Sequence, residues 1–229
     1  MPSLLRRSVA EFLGTFALTF FGAGAAVATI LPGAGYGLLG IALAHALVLA
    51  VMVTAAIPIS GGHFNPAVTL GLLVGRRTDA QTAAVYIVTQ LAAAVLAALA
   101  IKALFPPAVV RNSTLGTPLL ASAVTFGQGV VLEAIFTFFL VSVVFGTCVN
   151  AEAPRVGGFA IGLTLFFAIL VGGPMTGAAL NPARAFGPAI VSGNLVGHLV
   201  YWIGPIVGGL LAALLWDRVL LAPAPKEGK

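Results

Sequence analysis

The tripeptide Asn-Pro-Ala occurs twice, at Asn65-Pro66-Ala67 and Asn181-Pro182-Ala183, and each copy opens an apolar stretch of about ten residues. At 1.5 Å per residue such a stretch covers about 15 Å, half of the ~30 Å hydrocarbon layer. Asn is a strong N-cap, and Pro at the first helical position loses only an N–H that would have had no partner. Each copy follows a turn in which glycine lets the backbone take an irregular path, Ile59-Ser60-Gly61-Gly62-His63-Phe64 and Met175-Thr176-Gly177-Ala178-Ala179-Leu180. Two half-length helices that point capped N-termini into a membrane, one in each half of a chain, predict a solute path at the midplane between inverted repeats.

A membrane location follows from composition: 60% of the 229 residues are hydrophobic and 7% charged, which excludes an ordinary soluble domain. Six segments are long enough to span, near 8–31, 37–59, 81–104, 128–150, 156–174 and 196–221. The half-helices fall between them, at about 66–75 and 182–191. The first span is longer than a signal-peptide core and is read as retained. Arg6, Arg7, Arg76, Arg77, Arg155, Arg218, Lys226 and Lys229 share one side, so both termini are expected in the cytoplasm, with Lys102 and Arg111 outside. The net charge of +5 therefore reports topology, and no basic face exists for nucleic acid. Cys148 stands alone among apolar neighbours and is expected to be a buried small hydrophobe. No metal or cofactor motif is present, and no enzyme activity is expected.

The halves are a repeat. Pro58-Ile59-Ser60-Gly61 matches Pro174-Met175-Thr176-Gly177 at the offset of the two tripeptides, Glu11 has a counterpart in Glu133, and Tyr86 lines up with Tyr201. Each half holds three spans, an odd number, so the second inserts upside down and the half-helices meet end to end. The expected fold is an all-α membrane protein with six transmembrane helices plus two re-entrant half-helices in two inverted repeats. Residues 1–229 form a single channel domain, with repeats at about 1–104 and 128–229 joined by loop 105–127.

Facing helix N-termini present roughly half a positive charge each, and the Asn65 and Asn181 amides add hydrogen-bond donors. Cations are disfavoured there, whereas a water held through its oxygen cannot relay a proton along a file. Arg184, which follows the second tripeptide, matches Val68 in the first half; an intramembrane Arg usually faces a water-filled cavity. Glu11 and Glu133, one per repeat, are expected to accept backbone N–H groups freed in the irregular turns. A proton relay is the alternative reading, and it would need further acidic or His groups in series. Depth arithmetic puts His45 about 12 Å into the second span, and Ile169 within about 10 Å of the same face. With Ala178 and Arg184 these residues are expected to form one ring above the Asn pair, and protonation of His45 in acid is a candidate gate. The His63 carbonyl is expected to matter more than its ring.

These residues resemble the aquaporin, or major intrinsic protein, family over essentially the whole chain. The resemblance rests on the two Asn-Pro-Ala motifs, Arg184 after the second, Ser60-Gly61-Gly62-His63-Phe64 before the first, and the paired Glu11 and Glu133. It implies a homotetramer in a lipid membrane, each subunit with its own pore, and a selectivity filter at His45, Ile169, Ala178 and Arg184. Ala185 stands where glycerol facilitators carry Asp, which favours the water-channel branch. A His, Ile, Ala, Arg set resembles that of some plant vacuolar intrinsic proteins, which pass ammonia or urea as well as water. The implied function is a passive, proton-excluding water channel that also admits small neutral solutes such as ammonia, urea and hydrogen peroxide, in a cell (plasma or inner) membrane. The alternatives are an ion-coupled secondary transporter and a junctional or structural membrane protein.

Overall fold

The computed structural model describes residues 2–221 and is helical throughout its regular structure. Helix α1 (Leu4–Ala28) starts a turn before the apolar segment does, because the Ser3 side chain accepts the Arg6 N–H. Helix α2 spans Gly37–Ala56, the half-helix α3 Pro66–Val74, and α4 Ala80–Leu104, the last capped by Asp79. The connection between the halves carries a short helix, α5 (Pro107–Ser113), and a left-handed turn at Thr114–Gly116. Helix α6 (Phe126–Val144) opens on a reciprocal cap between Thr125 and Gln128 and closes in a π turn, Phe145–Val149. Helix α7 covers Gly157–Thr176, two residues beyond its expected end: Pro174 lies inside it, and the chain leaves it at Gly177, φ 81°. The half-helix α8 (Pro182–Ser192) and α9 (Val200–Leu215), extended by a π turn to Leu220, complete the described chain. Lys226 and Lys229 lie outside the described residues.

The helix contacts are symmetric under exchange of the halves. α1 packs on α4 as α6 packs on α9, α1 touches α2 as α6 touches α7, and α2 meets α7 directly. Each half-helix packs on the last span of the other half, α3 on α9 and α8 on α4. That exchange makes one body of the two repeats. Because lipid is as apolar as a side chain, helices associate in a membrane through close approach and dispersion. Small residues supply the approach: a Cβ on Gly208 of α9 would collide with the Ala134 carbonyl on α6, and one on Gly162 of α7 with the Ala46 carbonyl on α2.

Outward faces are apolar instead of polar. Leu43, Leu47 and Val51 on α2, and Phe159, Leu163, Phe167 and Val171 on α7, are exposed at helical spacing. In water a patch of that size would be an anomaly; against lipid it is the expected surface. With six helices of spanning length, the molecule is an integral, multi-pass membrane protein.

Two expectations change. Cys148 is exposed, not buried, because it sits in the π turn where α6 leaves the core, while its neighbour Phe145 takes the interior position. Loop 105–127 is more than a tether: Leu115 is buried in a cluster with Ala23, Val27 and Ile101, and Gly116 lies against Ala23.

Candidate functional site

The two tripeptides meet at the middle of the molecule. Asn65 and Asn181 cap α3 and α8 through their side-chain carbonyls, which accept the N–H groups of Ala67 (2.8 Å) and Ala183 (3.0 Å). Their amide nitrogens cross over: Asn65 Nδ2 donates to the Leu180 carbonyl and Asn181 Nδ2 to the Phe64 carbonyl, both at 2.8 Å. Each cap is therefore fastened to the loop before the opposite helix. Pro66, Ala67, Pro182 and Ala183 are buried in the first turns.

The loops before the caps are strained, with φ of 50° at Phe64, 44° at Ala178 and 53° at Leu180. Non-glycine residues in that region cost about 1–3 kcal/mol each and persist only where surroundings hold them. Here the holders are carboxylates. Glu11 Oε1 accepts from the Ser60 hydroxyl and His63 N–H, and its Oε2 from Phe64 N–H and Gln90 Nε2, at 2.7–2.9 Å. Glu133 Oε1 accepts from the Thr176 hydroxyl (2.7 Å) and Ala179 N–H (3.0 Å), and Oε2 from Leu180 N–H (2.8 Å). The Tyr86 and Tyr201 hydroxyls then donate to the Ser60 and Thr176 carbonyls. The two cradles are the same construction built twice.

Toward the end of the pore away from the N-terminus, Arg184 crosses to His45. Its Nη2 lies 3.0 Å and its Nε 3.3 Å from His45 Nε2, and Nη1 donates to the Gly116 carbonyl at 3.2 Å. His45 Nδ1 is 2.9 Å from the Ile41 carbonyl, an acceptor only, so the ring proton sits on Nδ1 and Nε2 receives the arginine. A second ring proton would face the guanidinium with no lone pair to receive it, so this contact counts against the acid gate expected at His45. Three of the five guanidinium N–H groups are engaged, leaving two for the cavity that Arg184 lines.

That cavity, of ≈ 20 Å³, runs past His45, Arg184, Asn65, Asn181 and His63 on its polar side and past Leu49, Val53, Leu140 and Leu165 on its apolar side. One water needs about 10–15 Å³, so the cavity has room for about one molecule of that size beside the Asn pair. Ile169 and Ala178 are buried near it but are not part of its wall. The His63 ring does line it, and its Nδ1 lies 3.1 Å from the Thr69 hydroxyl. Along one wall the arrangement offers N–H donors and the positive ends of two helix dipoles, which suit a ligand that presents an oxygen acceptor.

Several supporting residues escape a reading of motifs. Gly22 gives the His45 ring its seat, since a Cβ there would stand 2.5 Å from His45 Nε2. Gly116 brings a carbonyl to Arg184 from the connecting loop, and Gln90 bridges Glu11 to Thr69. The run Gly116-Thr117-Pro118 is a turn-prone signal that could have marked the loop as fixed. Nothing in sequence pairs Gly22 with His45.

The family model for the major intrinsic protein matches residues 1–216. The chain is 42% identical to aquaporin TIP4-4 of Zea mays over 231 residues, 97% of this chain and 90% of the relative, and 42% identical to the probable aquaporin TIP3-2 of Arabidopsis thaliana, covering 96% and 85%. Among solved structures, the aquaglyceroporin of Plasmodium falciparum superposes with a TM-score of 0.84 at 24% identity, over 96% of this chain and 98% of that one. At that identity the likeness speaks for the fold.

Proposed function

Because the chain belongs to the major intrinsic protein family, we propose that it is a passive water channel and that its selectivity is divided between the crossed Asn pair and the His45–Arg184 contact. The observation that carries this reading is the reciprocal fastening of Asn65 to the Leu180 carbonyl and Asn181 to the Phe64 carbonyl beside a cavity of about one water's volume. Each carboxamide nitrogen has two protons, and one is spent on the opposite carbonyl. The remaining proton of each amide is available to water oxygen. A water held that way directs both of its own hydrogens away, so it cannot accept a proton from its neighbour and the file is interrupted.

Charge acts in the same direction. The N-terminal ends of α3 and α8 add roughly half a positive charge each where the file turns, and Arg184 adds a full one nearer the outer end. Hydronium and metal cations meet that field, while neutral molecules do not. The opposite wall is hydrocarbon, which offers a moving water nothing to hold it. Both intramembrane carboxylates face backbone donors in the cradles, so the geometry favours a passive channel over an ion-coupled transporter.

In this reading His45, Ile169, Ala178 and Arg184 set the solute range and admit ammonia, urea and hydrogen peroxide. Residues 1–229 act as one channel domain, in a homotetramer, within a cell membrane and with both termini in the cytoplasm. The vacuolar likeness of the filter makes an internal membrane the competing location, and membrane fractionation separates the two. Stopped-flow swelling of proteoliposomes tests the function: water permeability well above bare lipid with a low activation energy is expected. Permeability equal to that of lipid alone overturns it. Parallel urea, ammonia and glycerol fluxes on the same preparation read the filter.

A further inference from the structure

We propose that the arginine-lined vestibule at the inner end of the pore is a binding site for a phosphate group, and that its occupant obstructs the water path. The vestibule is a cavity of ≈ 630 Å³ whose wall includes Arg7, Arg76, Arg77, Asp79, Tyr86 and His63. His63 also lines the ≈ 20 Å³ cavity that holds the Asn pair, so the wide space and the narrow one adjoin at that residue. Anything larger than water that settles in the vestibule stands over the neck.

The charges there do not cancel. Arg77 is paired with Asp217 at 3.0 Å, the one ion pair among the described residues, which leaves Arg7 and Arg76 without a carboxylate partner among them. The nearby acids are committed elsewhere. Asp79 accepts the Thr82 N–H (2.8 Å) and hydroxyl (2.7 Å), and each oxygen of Glu11 already holds two donors.

A membrane protein keeps its arginines on the inner side for topology alone, but topology does not require three of them to converge on one cavity. The guanidinium fork fits the tetrahedral oxygens of phosphate by paired N–H bonds better than it fits a spherical halide. The His63 ring stands at the junction, with Nδ1 3.1 Å from Thr69 Oγ1 and Nε2 on the side of Gly61 in the vestibule wall. Arg7 and Arg76 thus hold the anion at the His63 end of the vestibule. The same chemistry is offered by free inorganic phosphate and by the phosphate of an acidic lipid headgroup.

The test uses the full chain and its R7Q/R76Q variant in proteoliposomes. Osmotic water permeability is followed as inorganic phosphate replaces chloride on the vestibule side at constant ionic strength, in neutral lipid and in vesicles containing phosphatidic acid. Phosphorus NMR line broadening of inorganic phosphate on the detergent-solubilised channel reports binding without any flux, so a failed channel assay is told apart from a failed site. The expected result is a saturable fall in permeability of at least about twofold in the parent protein, with binding weakened about tenfold or more in the variant, the loss appropriate to charge-assisted bonds. An effect of phosphatidic acid without one of free phosphate assigns the site to headgroups and also supports it. Equal responses in parent and variant, or no response to either phosphate source, overturn it.

Discussion

The contact between His45 and Arg184 shows how much can depend on an atom that is missing. Gly22 on α1 leaves the space that the His45 ring fills, and the ring in turn receives two guanidinium nitrogens. Gly22→Ala places a methyl group inside that ring, an overpacking worth about 1–3 kcal/mol of stability. The ring must then shift, and Arg184 loses its acceptor. The expected outcome is a lower melting temperature together with a changed ratio of urea to water flux, measured on one reconstituted sample; an unchanged ratio separates the ring's position from selectivity. The paired substitution His45→Phe with Ile169→His moves the imidazole from α2 to α7. It should keep water flux within about threefold while lowering urea flux more than tenfold, a difference of roughly 1–2 kcal/mol in barrier. Equal fluxes before and after would show that these residues do not select.

At the scale of the element, the half-helices illustrate how a strained segment is held from outside. Phe64 and Leu180 keep a left-handed backbone because a carboxylate oxygen takes the N–H of each, at 2.7 and 2.8 Å. An amide cannot replace that group: in Glu11→Gln the new NH₂ faces either His63 N–H or Phe64 N–H, and in Glu133→Gln either Ala179 N–H or Leu180 N–H. Each variant leaves a buried donor unmatched and should cost about 1–3 kcal/mol, read as a fall in thermal stability in detergent. A proton relay predicts otherwise, namely a normal melting temperature with altered proton leak. The pairing of Glu11 with Glu133 was visible as a repeat, and so were the caps at Asn65 and Asn181. The crossed bonds from each Asn to the opposite loop were not, since residues 65 and 180 are related only by folding.

For the whole molecule, the controlling fact is that each half-helix packs on the other repeat's last span. The ends of α3 and α9 meet at the Arg77–Asp217 pair, which is partly exposed and contributes no more than about 1 kcal/mol. Close helix approach does more. Gly208→Val drives a branched side chain into the Ala134 carbonyl and should prevent α6 and α9 from assembling, read as loss of the monodisperse protein. Topology can be checked with the native cysteine. Cys148 is exposed at the end of α6 and should react with a membrane-impermeant maleimide from the side that carries Arg6 and Arg7, and not from the other. Labelling from the opposite side would invert the orientation. Burial of Cys148 was a natural expectation from its apolar neighbours, and it failed because a π turn ends the helix at that residue. Sequence hydropathy reports composition along a segment, not which side of a final turn faces inward.

The sequence by itself determined what is local and periodic: six apolar spans, two capped half-helices, their duplication, and the odd number of spans that inverts one half against the other. These follow from hydrogen-bond satisfaction in lipid, from Asn and Pro at a helix start, and from counting. The tertiary structure alone decided which distant atoms meet. It set Asn65 against Leu180, Asn181 against Phe64, His45 on Gly22 beneath Arg184, and Gly116 beside the guanidinium. The reason is physical: dense packing between helices specifies such contacts through shape over distances of 23 to 139 residues along the chain, from Gly22–His45 to His45–Arg184, and no local pattern carries that information.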